Sequence, residues 1–131
     1  MITTRATTTD YRLALSTHWD RIAHSDALTD YRIEPIDGDY SAYLMTDNGD
    51  YVVGGFIVKA TGELVGLWSH VPGNGNGLVT AAIAYGATSL DCFDGYLPTL
   101  YGRHGFVIVR REANWIAGGP DVVYMHLPHW N

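Results

Sequence analysis

Asn48-Gly49 sits between two runs rich in apolar and aromatic residues, 40–46 and 51–59. Such a pair in such a place signals a tight hairpin, because both residues tolerate the positive φ that the turn requires. A third run, 64–70, follows the turn Ala60-Thr61-Gly62-Glu63. The middle of the chain therefore reads as an antiparallel meander. Gly54 and Gly55, inside the second run, mark a bulge or a close approach of another backbone.

On the N-terminal side, Tyr11, Leu15, Trp19, Ile22 and Ala23 recur at helical spacing and leave Arg12, Asp20 and Arg21 largely off the stripe. This predicts a surface helix with Thr9 or Asp10 as its cap. Residues 31–39 carry Pro35 and an Asp-Gly-Asp turn and take no clear element. After the meander, Val71-Pro72-Gly73-Asn74-Gly75-Asn76-Gly77 breaks the pattern. A helix is expected over 78–85 and a short buried strand over 89–93. A second helix should run from Pro98 to His104, stopped by Gly105. Strands at 106–111 and 122–127 complete the order. The strand-loop-helix-strand unit over 64–93 implies a right-handed parallel crossover. The reading is an α/β (α+β) fold, a mixed and mostly antiparallel sheet of about six strands flanked by helices.

The 131 residues fit one domain over 1–131, long enough to bury an apolar core without staples. A net charge of −6 with eight Lys and Arg disfavours nucleic acid and anionic membranes as partners, although Arg103, Arg110 and Arg111 sit close in sequence. Cys92, the lone cysteine, cannot form an internal disulfide, no apolar run has membrane-spanning length, and the start lacks the apolar middle of a secretion signal. A cytoplasmic setting is expected.

The glycine turn carries the first chemical signal. A helix start leaves several N–H groups unpaired, and glycines let a turn bring them close to a ligand. Phosphate or diphosphate oxygens suit that place, helped by the helix dipole. A Walker loop is excluded by the missing lysine, and a dinucleotide fingerprint by the short unit that follows a meander. A plain surface turn is the alternative.

Two stretches resemble the GCN5-related N-acetyltransferase (GNAT) superfamily. His70-Val71-Pro72-Gly73-Asn74-Gly75-Asn76-Gly77-Leu78 is similar to the family turn Gln/Arg-x-x-Gly-x-Gly/Ala, with His70 where Gln or Arg is usual and the glycine register open between Gly73/Gly75 and Gly75/Gly77. Leu100-Tyr101-Gly102-Arg103-His104-Gly105-Phe106 is similar to the family's Leu-Tyr-x-x-x-Gly-Phe. The resemblance spans about two-thirds of the chain. It implies acetyl transfer from acetyl-CoA to an amine of a small molecule or protein, without a metal. Gly73, Asn74, Gly75, Asn76, Gly77 and Leu78 would hold the diphosphate, and the backbone of Leu67, Trp68 and Ser69 the pantetheine arm. Tyr101 matches the family tyrosine that protonates the departing thiolate, and a homodimer would be in keeping with the family. A GNAT-like binding module without efficient catalysis, or a modifier of nucleic-acid bases, are the alternatives.

For the base, two residues stand. Glu63 lies near the family's glutamate base, and otherwise is an exposed turn carboxylate. His70 has a ring that titrates near neutrality, and otherwise is a polar strand end. Asp94 before Gly95 reads as a strand end or cap. Cys92 reads as a core residue, His126-x-x-His129 as a solvated tail, and Trp115 as either a roof over the acceptor pocket or a plug for the core.

Overall fold

A computed structural model describes residues 1–23, 25–33 and 38–128. The hairpin forms as its turn chemistry dictates. Strand β2 (Tyr40–Asp47) pairs antiparallel with β3 (Tyr51–Lys59), and Asn48 and Gly49 take φ of 25° and 108°. The next strand, β4 (Glu63–Ser69), continues the meander. A threonine-rich strand that the apolar pattern did not reveal, β1 (Ile2–Ala6), adds to the β2 edge. Beyond β4 come β5 (Ser89–Phe93), β6 (Val107–Glu112) and β7 (Val122–His126). The sheet has seven strands in the order β1-β2-β3-β4-β5-β7-β6, and β4–β5 is its parallel pair.

Helix α1 (Thr8–Thr17) starts earlier than expected. The Thr7 hydroxyl accepts the Asp10 N–H at 3.0 Å, so Thr7 is the cap and Asp10 lies in the first turn, where its charge favours the dipole. The apolar stripe outlasts the helix. A 3-10 turn, Trp19–Arg21, follows, and Ile22 reaches the core from beyond it. Helix α2 (Thr29–Ile33) falls partly in the stretch left unassigned from sequence; residues 34–37 of that stretch lie outside the described residues.

Two apolar layers sandwich the sheet. On one face Tyr11 and Leu15 of α1 pack with Ile22 and Leu28 on Ala42, Ile57, Val65 and Trp68. On the other, α3 (Gly75–Ala84) and α4 (Tyr96–Gly102) bring Leu78, Val79, Leu100 and Tyr101 onto Phe56, Val58, Leu64, Leu90 and Met125. Strand alternation explains the division: Leu64 faces one layer and Val65 the other. Each such aliphatic side chain, fully buried, stabilises the fold by about 1.5–3 kcal/mol.

Helix α3 begins three residues before the position suggested by apolar periodicity, because Gly75, Asn76 and Gly77 form its first turn. Glycine's low helix propensity hides such a turn in sequence. Helix α4 starts and ends two residues earlier than expected, with Pro98 in its first turn and Gly105 at φ 97° in the turn that follows.

Candidate active site

The site is built where β4 parts from β5. The two strands pair at Glu63 with Ser89 and Leu64 with Leu90, and no further pair forms. From Val65 onward β4 runs free of β5, which opens a gap in the middle of the sheet toward the glycine turn. A bulge shapes the same stretch of β4. Gly55 opposes Trp68 and Ile57 opposes Val65, so Gly66 and Leu67 together face the single residue Phe56. Gly66 takes φ 59°, and its carbonyl accepts a hydrogen bond from the buried Tyr11 hydroxyl. Glycine in β3 permits the close approach: a Cβ on Gly54 would overlap the Trp68 carbonyl, and one on Gly55 would stand 2.8 Å from the Tyr43 carbonyl.

The turn between β4 and α3 is pinned by side chains that face inward. The Ser69 hydroxyl lies 2.7 Å from the Val71 carbonyl and 3.1 Å from the Val53 carbonyl, and it accepts the Val71 N–H at 3.2 Å. Gly73 makes the bend at φ 90°. Asn74 stands at the N-cap position and is buried, yet its amide turns back to donate to the Val71 carbonyl at 3.3 Å and caps nothing. The first helical bond runs from the Leu78 N–H to the Asn74 carbonyl at 3.0 Å. The N–H groups of Gly75, Asn76 and Gly77 make no hydrogen bond with any described residue. An asparagine at the best capping position that leaves the amides open is the site's main structural peculiarity. Both glycine registers share Gly75, the first residue of α3, whereas Gly73 lies in the bend and Gly77 in the first turn.

Of the other residues singled out in sequence, Trp68 buries its ring among the α1-side core and offers the gap only its backbone. Leu67 is half-buried against the α3-side core. Tyr101, on α4, is buried with its ring edge-on to Phe106 at 6.0 Å. Its hydroxyl bonds no described residue, and its phenol is pushed well above the usual 10 by burial first, then by Cys92 and Asp91 of β5. Tyr101 thus belongs to the β5 side of the gap. Glu63 lies at the closed end, half-exposed, 3.6 Å from the Lys59 ammonium.

His70 is engaged elsewhere. Its Nε2 lies 2.6 Å from the Val52 carbonyl, and its ring stacks on His18. That stack was not legible from sequence, since 52 positions' worth of chain separate partners that only the fold brings together; no local signal marks it. Asp91 flanks Cys92-Phe93 together with Asp94, and the sequence gives it no role of its own. It lies just past the last β4–β5 pair, and its carboxyl is raised by burial and then by Glu63. Asp94 is held below the usual carboxylate range, chiefly by its hydrogen bond from Arg111 at 2.7 Å. Arg110 pairs with Glu112 at 2.5 Å and covers the Tyr124 ring, so two of the three clustered arginines are engaged with carboxylates. Trp115 is 78% exposed and meets Phe93, so it plugs no core. His129 lies outside the described residues. Among the described residues no three His, Cys, Asp or Glu side chains converge as metal ligands, and no helix is long and apolar enough to cross a membrane.

No protein-family model matches the chain, and no curated protein matches it in sequence. Solved structures do match in shape. A point mutant of the spermidine N-acetyltransferase SpeG from Vibrio cholerae superposes with a TM-score of 0.67 at 17% identity, covering 96% of this chain and 92% of that one. The same enzyme in a dodecameric structure gives 0.64 at 16% identity, covering 96% and 92%. An aminoglycoside 6′-acetyltransferase of type Ii gives 0.61 at 18% identity, covering 95% of each chain. Sheet order, parted strands and these superpositions agree: the chain carries the fold of the GCN5-related N-acetyltransferases.

Proposed function

We propose that the protein is an acyl-CoA-dependent N-acetyltransferase that moves an acetyl group from acetyl-CoA to an amine of a small molecule or protein. The observation that carries this reading is the uncapped first turn of α3 at the mouth of the β4–β5 gap. Three open amides and a helix dipole suit a diphosphate. The gap gives the pantetheine arm a place beside the backbone of Leu67, Trp68 and Ser69, whose amides would polarise the thioester carbonyl.

The acceptor reaches the site as an ammonium ion and must lose a proton before its nitrogen attacks the thioester carbon. Glu63 is the better candidate for that proton than His70, whose Nε2 already faces the Val52 carbonyl and whose ring is stacked. As the carbon–sulfur bond breaks, the Tyr101 hydroxyl gives its proton to the thiolate. The amide nitrogen then releases its extra proton, which restores the phenol. The raised Tyr101 phenol is fully protonated at neutral pH, as a general acid must be. The neighbouring enzymes' named substrates, spermidine and an aminoglycoside, are amines and support an amine acceptor here; the dodecameric neighbour supports self-association, a homodimer being its simplest form. A cytoplasmic setting accords with the free Cys92.

A second reading, a binding module of the same fold without efficient catalysis, is favoured by one observation. The turn has His70 where the family uses Gln or Arg, and that ring is turned to Val52 and His18. Acetyl-CoA at a hundredfold excess over its dissociation constant should add about 2.7 kcal/mol to the unfolding free energy. No thermal shift at millimolar acetyl-CoA removes both readings. A shift without release of free CoA in the presence of amines leaves only the second.

A further inference from the structure

On the α1 side of the sheet the apolar layer stops at β4. Among the described residues it takes in side chains of β2, β3 and β4, and none of β5, β6 or β7. Strand register shows what the uncovered stretch presents. Glu63 pairs with Ser89, so Ser89, Asp91 and Phe93 of β5 share the face of Glu63. On β7, Tyr124 stands opposite Asp91, and Arg110 of β6 stands opposite Tyr124. Tyr31 of α2 borders this face from the β4 side, close enough that a Cβ on Gly66 would stand 3.4 Å from its Cγ.

Charge on this face does not balance. Strands β5, β6 and β7 hold two arginines and no lysine. Arg110 lies 2.5 Å from Glu112 and covers the Tyr124 ring at 4.0 Å. Arg111, whose strand partner Val123 belongs to the α3-side core, bonds Asp94 at 2.7 Å. Lys59 of β3 lies 3.6 Å from Glu63. Asp91 is left open to solvent with no ion-pair partner among the described residues. Tyr124 stands beside it on β7, and Tyr31 lies across the gap. A lone carboxylate flanked by phenol rings suits an organic ammonium ion, which gains a charge-assisted bond from the one and ring faces from the others.

Asp91 also stands where the two substrates would meet. β4 leaves β5 one residue before it, and the bulge at Gly66 and Leu67 lies across the gap. Behind β5, on the α4 side, Tyr101 is 6% exposed and its hydroxyl bonds no described residue; after burial, Cys92 and Asp91 are what raise its phenol. An unpartnered buried hydroxyl and an unpaired carboxylate thus meet one gap from its two faces. We propose that Asp91 is the acceptor-binding carboxylate, and that the acceptor is a strongly basic alkylamine, held as its ammonium ion on the open β5–β7 face between Tyr31 and Tyr124. The inference rests on the N-acetyltransferase reading above and names its second substrate by chemistry. Asp91 holds and orients the cation, and the proton leaves by Glu63 as already described.

Binding can be read without turnover. n-Hexylamine, an ammonium ion at pH 7.5, and n-hexanol, an uncharged chain of the same length, are titrated into the isotope-labelled protein while the amide resonances of Asp91 and Tyr124 are followed by NMR. The wild-type chain should take hexylamine about tenfold more tightly than hexanol, the scale of one charge-assisted hydrogen bond in a half-open site. In Asp91→Asn, which keeps the shape and removes the charge, the two probes should bind within about twofold of each other. Equal binding of the probes by the wild-type chain, shifts confined to other strands, or a preference retained in Asp91→Asn overturns the assignment. Matching thermal unfolding of the two chains is the folding control, and the wild-type comparison decides alone if the variant does not fold. The probes need no acetyl-CoA, so the two readings fail separately. No thermal shift with acetyl-CoA overturns the transferase reading and the acceptor role with it, whereas loss of preference in Asp91→Asn still marks the cation site.

Discussion

The imidazole rings of His18 and His70 lie face to face, with centroids 3.8 Å apart and planes within 7°. Tyr51 meets His70 edge-on at 5.5 Å, and the Trp68 ring lies 6.4 Å from it. The stack ties the residue after α1 to the residue after β4, just ahead of the glycine turn. Hydrogen bonds set the ring states. The Val52 carbonyl needs a proton on His70 Nε2, and the Arg21 guanidinium, 2.6 Å from His18 Nδ1, needs a lone pair there. His18 is therefore neutral in the fold.

Acid should loosen this contact. His18 is lowered from its usual 6.5 by burial first, then by the His70 and Arg21 charges. For a base with a lowered folded value, the unfolded chain binds the extra proton more readily. The His18 contribution is thus complete above pH 6.5, declines as pH falls through 6.5 toward the lower folded value, and is gone beneath it. Thermal unfolding at pH 7.5, 6.5 and 5.5 should show a falling midpoint, with a shallower fall in His18→Asn. Equal slopes in the two chains would falsify this account of the stack.

Gly66 to Ala should be among the costliest single-methyl changes in the chain. Its φ of 59° disfavours any side chain, and an added Cβ would stand 2.5 Å from the Tyr11 hydroxyl and 3.4 Å from Tyr31 Cγ. The conformational penalty is about 1–2 kcal/mol. Displacing Tyr11 from the Gly66 carbonyl adds the cost of a buried acceptor left unpaired, about 1–3 kcal/mol. Urea denaturation should therefore show a loss of about 3 kcal/mol. A loss under 1 kcal/mol would mean that the bulge relaxes freely.

The meander was legible because its information is local. Asn48-Gly49 specifies a turn between two runs rich in apolar and aromatic residues, so β3 is read to the residue. Two features escaped for opposite reasons. Strand β1 is threonine-rich with an exposed, polar pattern, and only pairing to β2 makes it a strand. The first turn of α3 is made of Gly75, Asn76 and Gly77, whose propensities argue against a helix that tertiary packing imposes. The parting of β4 from β5, the Gly66 bulge and the His18–His70 stack each depend on residues far apart in sequence. No spacing rule reaches them, although the glycine turn they surround was legible as a candidate site from its own residues.

Cys92 should be chemically quiet. Its thiol is pushed up to about 12, by burial first and then by Asp91 and Asp94. At pH 8 about one molecule in 10⁴ would carry the thiolate, against about one in four for an ordinary cysteine near 8.5. A disulfide reagent at pH 8 should label the folded protein about a thousandfold more slowly than the chain in urea. Labelling of the native state within seconds would show that Asp91 and its neighbours leave the thiol more open than the fold indicates.

Tyr101→Phe separates chemistry from packing. The Tyr101 hydroxyl bonds no described residue, while its ring sits between α4 and Phe106. Loss of the oxygen should leave stability within about 0.5 kcal/mol at pH 7, since no buried partner is orphaned. Because the folded phenol lies above the usual 10, its contribution to stability is present below pH 10 and is lost as pH rises further, a limb that the variant should lack. Turnover with acetyl-CoA is the sharper test. A general acid contributes about 10²–10⁴-fold, so kcat should fall by that order while the thermal shift from acetyl-CoA is retained. Unchanged kcat would strip Tyr101 of its part in thiolate protonation and leave it a packing residue of α4.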